Sequence, residues 1–489
     1  MLFNSIEFII FFIVVLIIFV IFKNRYFHHL FLLGASYFFF YWSSNYLILL
    51  LIFSTMLDFY VGKEIWKSKS TRRKKFLLAT SLVGNLGLLG FFKYSDFAIA
   101  QFNIMGNYIN LVDDIPFLNL ALPIGISFYT FQTITYTVDI YRGQLKPSKS
   151  FSEFTIFVSF FPQIVAGPIL RAKDFLPQLN EKIEKLKISK LRLITIEKSA
   201  IRIGVTMMAL GFFKKMFFAD NIAPMVNEIF AMPIGLESFT IIWGTIGFGI
   251  QVYGDFSGYS DIAIGAALIL GFKIPANFNK PFFATSPSEF WRRWHISLSS
   301  WVRDYLFLPL VYRKIGSDFV LISGILVTFL ILGLWHGAGW NFIIFGLIHG
   351  VYVAFETFIR KRSPTFANNI FFKTKIGRII SILFTQYLIF FAWISFRVED
   401  TDLMIYSMQK FLIWDFQIEN TIGFLRAHKF ESGLIILFII LHTISFRLGN
   451  LIQRISLNNY YLFSFLTIIL LVIFFFYDGN SEDFIYFKF

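Results

Sequence analysis

Cysteine is absent from the 489-residue sequence, and histidine occurs only seven times. The first fact excludes disulfides, cysteine-ligated zinc, iron–sulfur clusters and a cysteine nucleophile. The second makes every side chain that titrates near neutral pH readable by its position: 28, 29, 295, 336, 349, 428 and 442. Charge is also scarce, with Asp, Glu, Lys and Arg at 15% of residues against about 25% in an ordinary soluble domain. The common signatures of nucleotide hydrolysis, serine hydrolysis, zinc proteolysis and EF-hand calcium binding are missing. Gly247-Phe248-Gly249 lacks the third glycine of a dinucleotide fingerprint and sits in an apolar run, where small residues serve close helix packing.

What is present is apolar surface. Hydrophobic residues make up 56% of the chain and aromatic residues 20%, and the mean hydropathy is +0.66. A soluble globule cannot hide this much, so the expectation is an all-α, multi-span membrane protein forming a single domain over residues 1–489. The net charge of +14 (44 basic against 30 acidic residues) then speaks of cytoplasmic loops and anionic headgroups rather than of nucleic acid. The first run, Ile6 to Phe22, lacks a basic start and a small-residue cleavage site and reads as an anchor. Lys23 and Arg25 follow it, and Lys63 to Lys75 form the densest basic cluster, so the block Leu30 to Phe59 crosses an even number of times, broken near Trp42-Ser43-Ser44-Asn45.

Phe76 to Phe92 crosses next, and Asp96, Asp113 and Asp114 mark an outside loop. Leu118 to Val138 returns, and Phe154 to Leu170, interrupted by Pro162, Gly167 and Pro168, reads as re-entrant. The amphipathic stretch from Asn180 to Arg202, with Lys182, Lys190, Arg192 and Lys198, reads as a helix on the cytoplasmic surface. Apolar segments near 201–218, 239–253, 262–272, 320–335, 342–358, 379–396, 434–446 and 461–477 bring the expected total to about 11 spans. No pair of similarly broken helices recurs in two halves, which weakens an inverted-repeat transporter reading.

Three polar constellations interrupt the apolar chain. In Gly254-Asp255-Phe256-Ser257-Gly258-Tyr259-Ser260-Asp261, the two carboxylates either cap helix ends or pair with nearby arginines, or they line a polar cavity; a supporting role is favoured. From Ser288 to Tyr305, Ser288 is the expected cap of a helix on which Trp291 and His295 stand at i and i+4 and Trp294 joins an aromatic stripe. Arg292, Arg293 and Arg303 on this stretch suit phosphate, either of lipid headgroups or of a cytoplasmic donor. The third is Gly333-Leu334-Trp335-His336-Gly337-Ala338-Gly339-Trp340-Asn341, a histidine set among glycines and tryptophans where packing does not require an imidazole. Histidine is the usual general base, so His336 is the leading catalytic position, with a buried, hydrogen-bonded structural histidine as the alternative. His349, thirteen residues on, faces elsewhere on an unbroken helix, so no His336–His349 metal pair is expected, and the remaining histidines read as structural.

Taken in order, these residues resemble the membrane-bound O-acyltransferases, in the bacterial branch that contains the alginate O-acetylation membrane protein. The resemblance rests on Leu122 to Phe131 leading to Val138 to Gly143, on Phe161-Pro162-Gln163 with Ala166-Gly167-Pro168, and on Tyr253 to Asp261. It continues through Glu289 to Tyr305, Leu334 to Asn341, Phe396-Arg397 and Phe484-Ile485-Tyr486-Phe487. It implies a ring of helices with re-entrant and interfacial pieces around a central tunnel, with His336 as principal catalytic histidine and His295 as its helper. Trp335, Asn341, Trp291, Trp294, Asp255 and Asp261 would line or support the tunnel.

The implied reaction is transfer of an acyl group, acetyl from acetyl-CoA, from a cytoplasmic donor to an extracytoplasmic polysaccharide. It would run without a metal or tightly bound cofactor, with an outside esterase-like partner, in the bacterial cytoplasmic membrane. Direct attack and an acyl-imidazole on His336 both stay open. Where relatives often carry a Gly-Gly-Asn-Arg type loop, this chain has Val311-Tyr312-Arg313-Lys314-Ile315-Gly316. D-alanyl transfer to teichoic acid ranks second, and a transporter, flippase or recruiting scaffold is the competing class.

Overall fold

A computed structural model describes residues 1, 3–21, 25–109, 114–165, 167–189, 197–312, 316–367, 369–415, 417–477, 479 and 482–487. Expectations resting on Lys23, Asp113, Ala166, Lys190, Arg192 and Arg313 to Ile315 lie outside the described residues. Among the described residues the regular structure is helical throughout, with no strand. Seven helical stretches are long and apolar enough to cross a membrane: His29–Lys67, Thr71–Tyr108, Asp318–His336, Trp340–Arg362, Lys375–Arg397, Lys429–Leu448 and Asn459–Phe476, with the shorter apolar Ile6–Ile21 beside them. The chain is an all-α, multi-pass membrane protein.

Two compact units divide the chain, one comprising 1–208 and 259–275, the other 209–258 and 276–489. The first begins with α1 (Ile6–Ile21), α2 (Arg25–Ser44), α3 (Ile48–Lys67), α4 (Thr71–Tyr108) and α5 (Ile126–Tyr141). It continues with α6 (Phe151–Ser159), α7 (Phe161–Ile164), α8 (Ala172–Ser189) and most of α9 (Lys198–Phe212). The expected break after Trp42 is there, as a short 3-10 turn over Asn45–Leu47. The expected segment 154–170 is broken too, at Phe160, and both of its pieces are buried.

Asp96 departs from its reading as an outside-loop residue. It lies inside the 38-residue α4, and its carboxylate accepts the N–H groups of Leu118 and Asn119 at 2.7 and 3.0 Å. Helices α3, α4 and α5 meet around a polar cluster in which fully buried Asp58 accepts from Ser81 at 2.5 Å and Asn85 at 2.8 Å. Polar groups at such depth persist only when they satisfy one another.

The second unit begins with the end of α9 and a π-helical turn, Phe213–Ala219, followed by α10 (Asp220–Ala231). The expected segments 239–253 and 262–272 are one 32-residue helix, α11 (Ser238–Ile269). The Gly254 to Asp261 motif therefore lies inside a helix rather than between two. Its glycines explain why polar residues are tolerated there. A Cβ at Gly254 would stand 2.9 Å from the Lys214 carbonyl oxygen, and one at Gly258 would stand 2.7 Å from that of Gly211, so α11 lies directly against the π turn.

Short helices α12 (Pro287–Arg293), α13 (Ile296–Val302) and α14 (Leu308–Val311) lead to α15 (Asp318–His336) and α16 (Trp340–Arg362). After α17 (Pro364–Ala367) come α18 (Lys375–Arg397), α19 (Thr401–Leu412), α20 (Ile418–Ala427), α21 (Lys429–Leu448), α22 (Leu451–Leu457) and α23 (Asn459–Phe476).

Helices α15 and α16 form a hairpin whose closest point is Gly333 against Gly346. A Cβ on Gly333 would lie 2.2 Å from the Phe342 carbonyl oxygen and 3.0 Å from the Gly346 Cα. At the hairpin's other end Asp318 pairs with Lys361 and Arg362. Gly333→Val is expected to force the two helices apart and cost about 1–3 kcal/mol of stability. A lowered thermal midpoint of the purified protein in detergent checks it, and an unchanged midpoint contradicts the close crossing.

Candidate active site

His336 is the last residue of α15 and is 4% exposed. The hairpin that packs through Gly333 holds it among aromatic rings. Ring centroids lie at 4.9 Å for Trp335, 5.7 Å for Phe345, 5.2 Å for Phe396 and 5.8 Å for Tyr486. His295 is fully buried and stands edge-on to Phe256 at 4.6 Å. It also faces Trp335 at 6.2 Å and Tyr486 at 6.3 Å. The two histidines predicted from sequence are thus brought to one chamber, sharing the rings of Trp335 and Tyr486 as common walls.

The local structure around His295 differs from the continuous helix expected there. The helix is capped by Ser286, whose Oγ accepts from the Glu289 N–H, and not by Ser288. It ends at Arg293, Trp294 is extended, and His295 takes a left-handed conformation (φ 42°, ψ 55°) before α13 begins. The i, i+4 relation of Trp291 to His295 is lost. No glycine or proline marks the break in the sequence. The cause is the 277–279 segment, which supplies the missing backbone partners: Asn279 N–H donates to the Arg293 carbonyl at 2.9 Å, and the Asn277 carbonyl accepts from Ile296 N–H at 2.8 Å. The Asn277 Oδ1 also accepts from the Ser297 hydroxyl at 2.6 Å.

A non-glycine residue with positive φ is held only where its surroundings over-determine it, a condition found most often at functional sites. Burial pushes the His295 imidazole down to about 3, so the ring is neutral at physiological pH and offers one donor and one acceptor.

The other sequence-predicted residues have varied surroundings. Asn341, near the start of α16 and 3% exposed, carries a buried Nδ2 with no hydrogen-bond partner among the described residues. Trp291 stands one layer out, its Nε1 donating to His349 Nδ1 at 3.2 Å, with Phe345 between this pair and His336. Trp294 meets Trp393 edge-on at 5.1 Å and stacks on Phe290 at 5.4 Å. Asp255 lies inside α11 rather than at a helix end. It binds Lys215 Nζ at 2.8 Å and accepts from the Ile485 N–H at 2.7 Å. Asp261 is half-buried and falls in the first unit.

Among the arginines, Arg293 is engaged by Glu289 at 2.7 Å, exposed Arg303 pairs with Asp304, and Arg292 is exposed. No group of three or more metal-ligating side chains occurs among the described residues.

Two participants escape the sequence reading. Tyr486 contacts both histidines, yet it is one of 21 tyrosines and only its place in a shared terminal motif set it apart. Lys215 falls within the apolar segment 201–218 and is not singled out there, while its side chain is 1% exposed and sits in a polar cavity of about 100 Å³ lined also by Asp220, Gln251, Asp255, Arg397 and Glu482.

Residues 141–398, more than half of the chain, match the membrane-bound O-acyltransferase family, MBOAT. The chain belongs to the MBOAT family. It is 36% identical over 350 residues to a probable alginate O-acetylase of Azotobacter vinelandii, covering 71% of this chain and 65% of that protein. It is 34% identical over 374 residues to a peptidoglycan O-acetyltransferase of Helicobacter pylori, covering 71% and 67%. To a teichoic acid D-alanyltransferase of Bacillus subtilis it is 31% identical over 253 residues, covering 50% and 61%. The chain thus spans about two thirds of the length of the alginate and peptidoglycan relatives.

The MBOAT match contains His295, His336, Lys215 and Asp255, and ends before the 482–486 segment that adds Tyr486. Asn277→Ala removes the side-chain acceptor of Ser297 beneath the His295 turn. The expected cost is about 1–3 kcal/mol, read as a lower thermal midpoint, and no change would show that the turn holds without it.

Proposed function

We propose that this MBOAT protein is an O-acyltransferase that moves an acyl group from a cytoplasmic donor across the bacterial cytoplasmic membrane to hydroxyls of an extracytoplasmic polysaccharide. The observation that carries the reading is the pairing of His336 and His295 in one aromatic chamber, inside the family-matched region. A sugar hydroxyl is a poor nucleophile at neutral pH, and a positioned base contributes about 10²–10⁴-fold. In this reading a His336 nitrogen takes the hydroxyl proton as the oxygen attacks the thioester carbonyl, the new C–O bond forms, the C–S bond breaks, and the thiolate leaves. Buried Asn341 Nδ2 is a donor suited to the charge that develops on the carbonyl oxygen. Neutral His295 is the helper in this reading, a ring able to donate and accept a hydrogen bond without carrying charge. The surrounding rings exclude water, which protects an activated acyl group from hydrolysis.

The acyl group is acetyl and the donor acetyl-CoA in this reading, because the identities to proteins named as acetylases extend further along the chain than the identity to the D-alanyltransferase. Where the attacking hydroxyl belongs to an extracytoplasmic esterase-like partner instead of to the sugar, the same step loads the partner, which then completes delivery to the polymer. The cation-rich end of the α15–α16 hairpin, with Lys361 and Arg362, would face the cytoplasm and the His336 end the other side.

Transfer of radiolabelled acetyl from acetyl-CoA to lumenal carbohydrate in sealed vesicles tests the proposal. His336→Ala is expected to lower transfer by about 10²-fold or more at matched protein level and membrane insertion, with a smaller loss for His295→Ala. Transfer undiminished in both variants would remove the histidines from the chemistry. Wild-type vesicles that accept label only from a D-alanyl carrier would favour the D-alanyl reading.

A further inference from the structure

The segment 482–486, which brings Tyr486 to the histidines, is held by polar bonds. Lys215 Nζ donates to the Glu482 backbone carbonyl at 2.8 Å and contacts Asp220 at 2.7 Å and Asp255 at 2.8 Å. The second oxygen of Asp255 accepts from the Ile485 N–H at 2.7 Å. Asn227 Nδ2 donates to the Glu482 carboxylate at 3.1 Å, and the Asn227 carbonyl oxygen accepts from Arg397 at 3.1 Å. The side chains of Lys215, Asp220 and Asp255 are 1%, 3% and 4% exposed. One ammonium thus joins three acceptors from three parts of the chain: α10, α11 and the 482–486 segment.

We propose that Lys215, with Asp255, is a positioning residue that clamps the 482–486 segment and so keeps the Tyr486 ring against His295 and His336. The clamp bonds the segment at Glu482 and Ile485, immediately before Tyr486. Next to Asp255 on α11, the Phe256 ring contacts both His295 at 4.6 Å and Tyr486 at 4.7 Å. The clamp and the chamber therefore share one short stretch of α11. A buried carboxylate that loses its cation is strongly destabilised, so loss of Lys215 weakens both attachments together. The π turn is what brings Lys215 into line, since its wider backbone places this side chain opposite Asp255 where Gly254 and Gly258 let the two elements touch.

This role in acyl transfer rests on the enzyme reading above, whereas the clamp itself can be measured without turnover. The cysteine-free chain takes a reporter directly: Ile485→Cys, at a position 7% exposed, reacts slowly with N-ethylmaleimide while the segment is clamped. Ala392→Cys, fully buried in α18, is the control for an intact unit. Adding Lys215→Met or Asp255→Asn is expected to speed modification at 485 about tenfold or more, with position 392 still slow, and to lower kcat for acyl transfer with KM for the donor unchanged.

Modification at 485 as slow as in the parent overturns the clamp. Faster modification with acyl transfer undiminished overturns the positioning role. Should Lys215→Met and Asp255→Asn both expose position 392, Lys215→Met combined with Asp220→Asn and Asp255→Asn decides, because it removes the ion cluster without leaving a buried carboxylate unpaired. A rise at 485 alone then supports the clamp, and no rise overturns it. A parent chain without acyl transfer bears on the enzyme reading only.

Discussion

A charged group taken out of water must find its opposite inside the protein, and Lys215 is where this chain meets that demand most sharply. Its ammonium contacts two buried carboxylates and ties down a backbone carbonyl from more than 250 residues away in sequence. Much else follows from the position of that one nitrogen. Helix α11 must approach closely enough for Asp255 to reach it, which requires Gly254 and Gly258 at the contact. Phe256 is then carried against His295, and the 482–486 segment is drawn to the opposite side of the same rings. The surroundings of the two histidines are aromatic, and an ion cluster lies beside them.

The chemistry asked of the chamber fits this division of labour. An acyl transferase needs a base that is not already committed to a counter-ion and a site from which water is excluded. Aromatic rings surround both histidines, and the function proposed above gives the first role to His336. The fixed charges sit one layer away, where they anchor backbone rather than compete for the substrate. Membership of the MBOAT family, whose match spans both histidines, accords with that arrangement.

Much of this was legible in the sequence where a residue type was rare for its setting. His336 and His295 stood out because imidazoles interrupt apolar runs, and both occupy the chamber. The long apolar helices announced themselves through hydropathy alone. The break at Trp294 and His295 did not, since neither residue is a helix breaker and the cause lies in Asn277 and Asn279, whose backbone groups take over the bonding. Asp255 was visible as a costly carboxylate, but its partner was sought among the nearby arginines. Lys215 was hidden inside the apolar segment 201–218, and its three acceptors are dispersed along the chain. Tyr486 was one aromatic ring among many until folding placed it beside both histidines.

The π turn at Phe213–Ala219 gives the chain an unusual kind of fragility. Such a turn is an α-helix with one surplus residue, so its cost is carried in register rather than in composition. Removing any single residue from it would restore an ordinary helix while rotating everything on one side by about 100° relative to the other. Every residue type could be kept and the hydropathy left untouched, yet the ammonium at 215 would no longer face α11. In this protein, length within one turn of helix shapes the ion cluster as much as the identity of the residues in it.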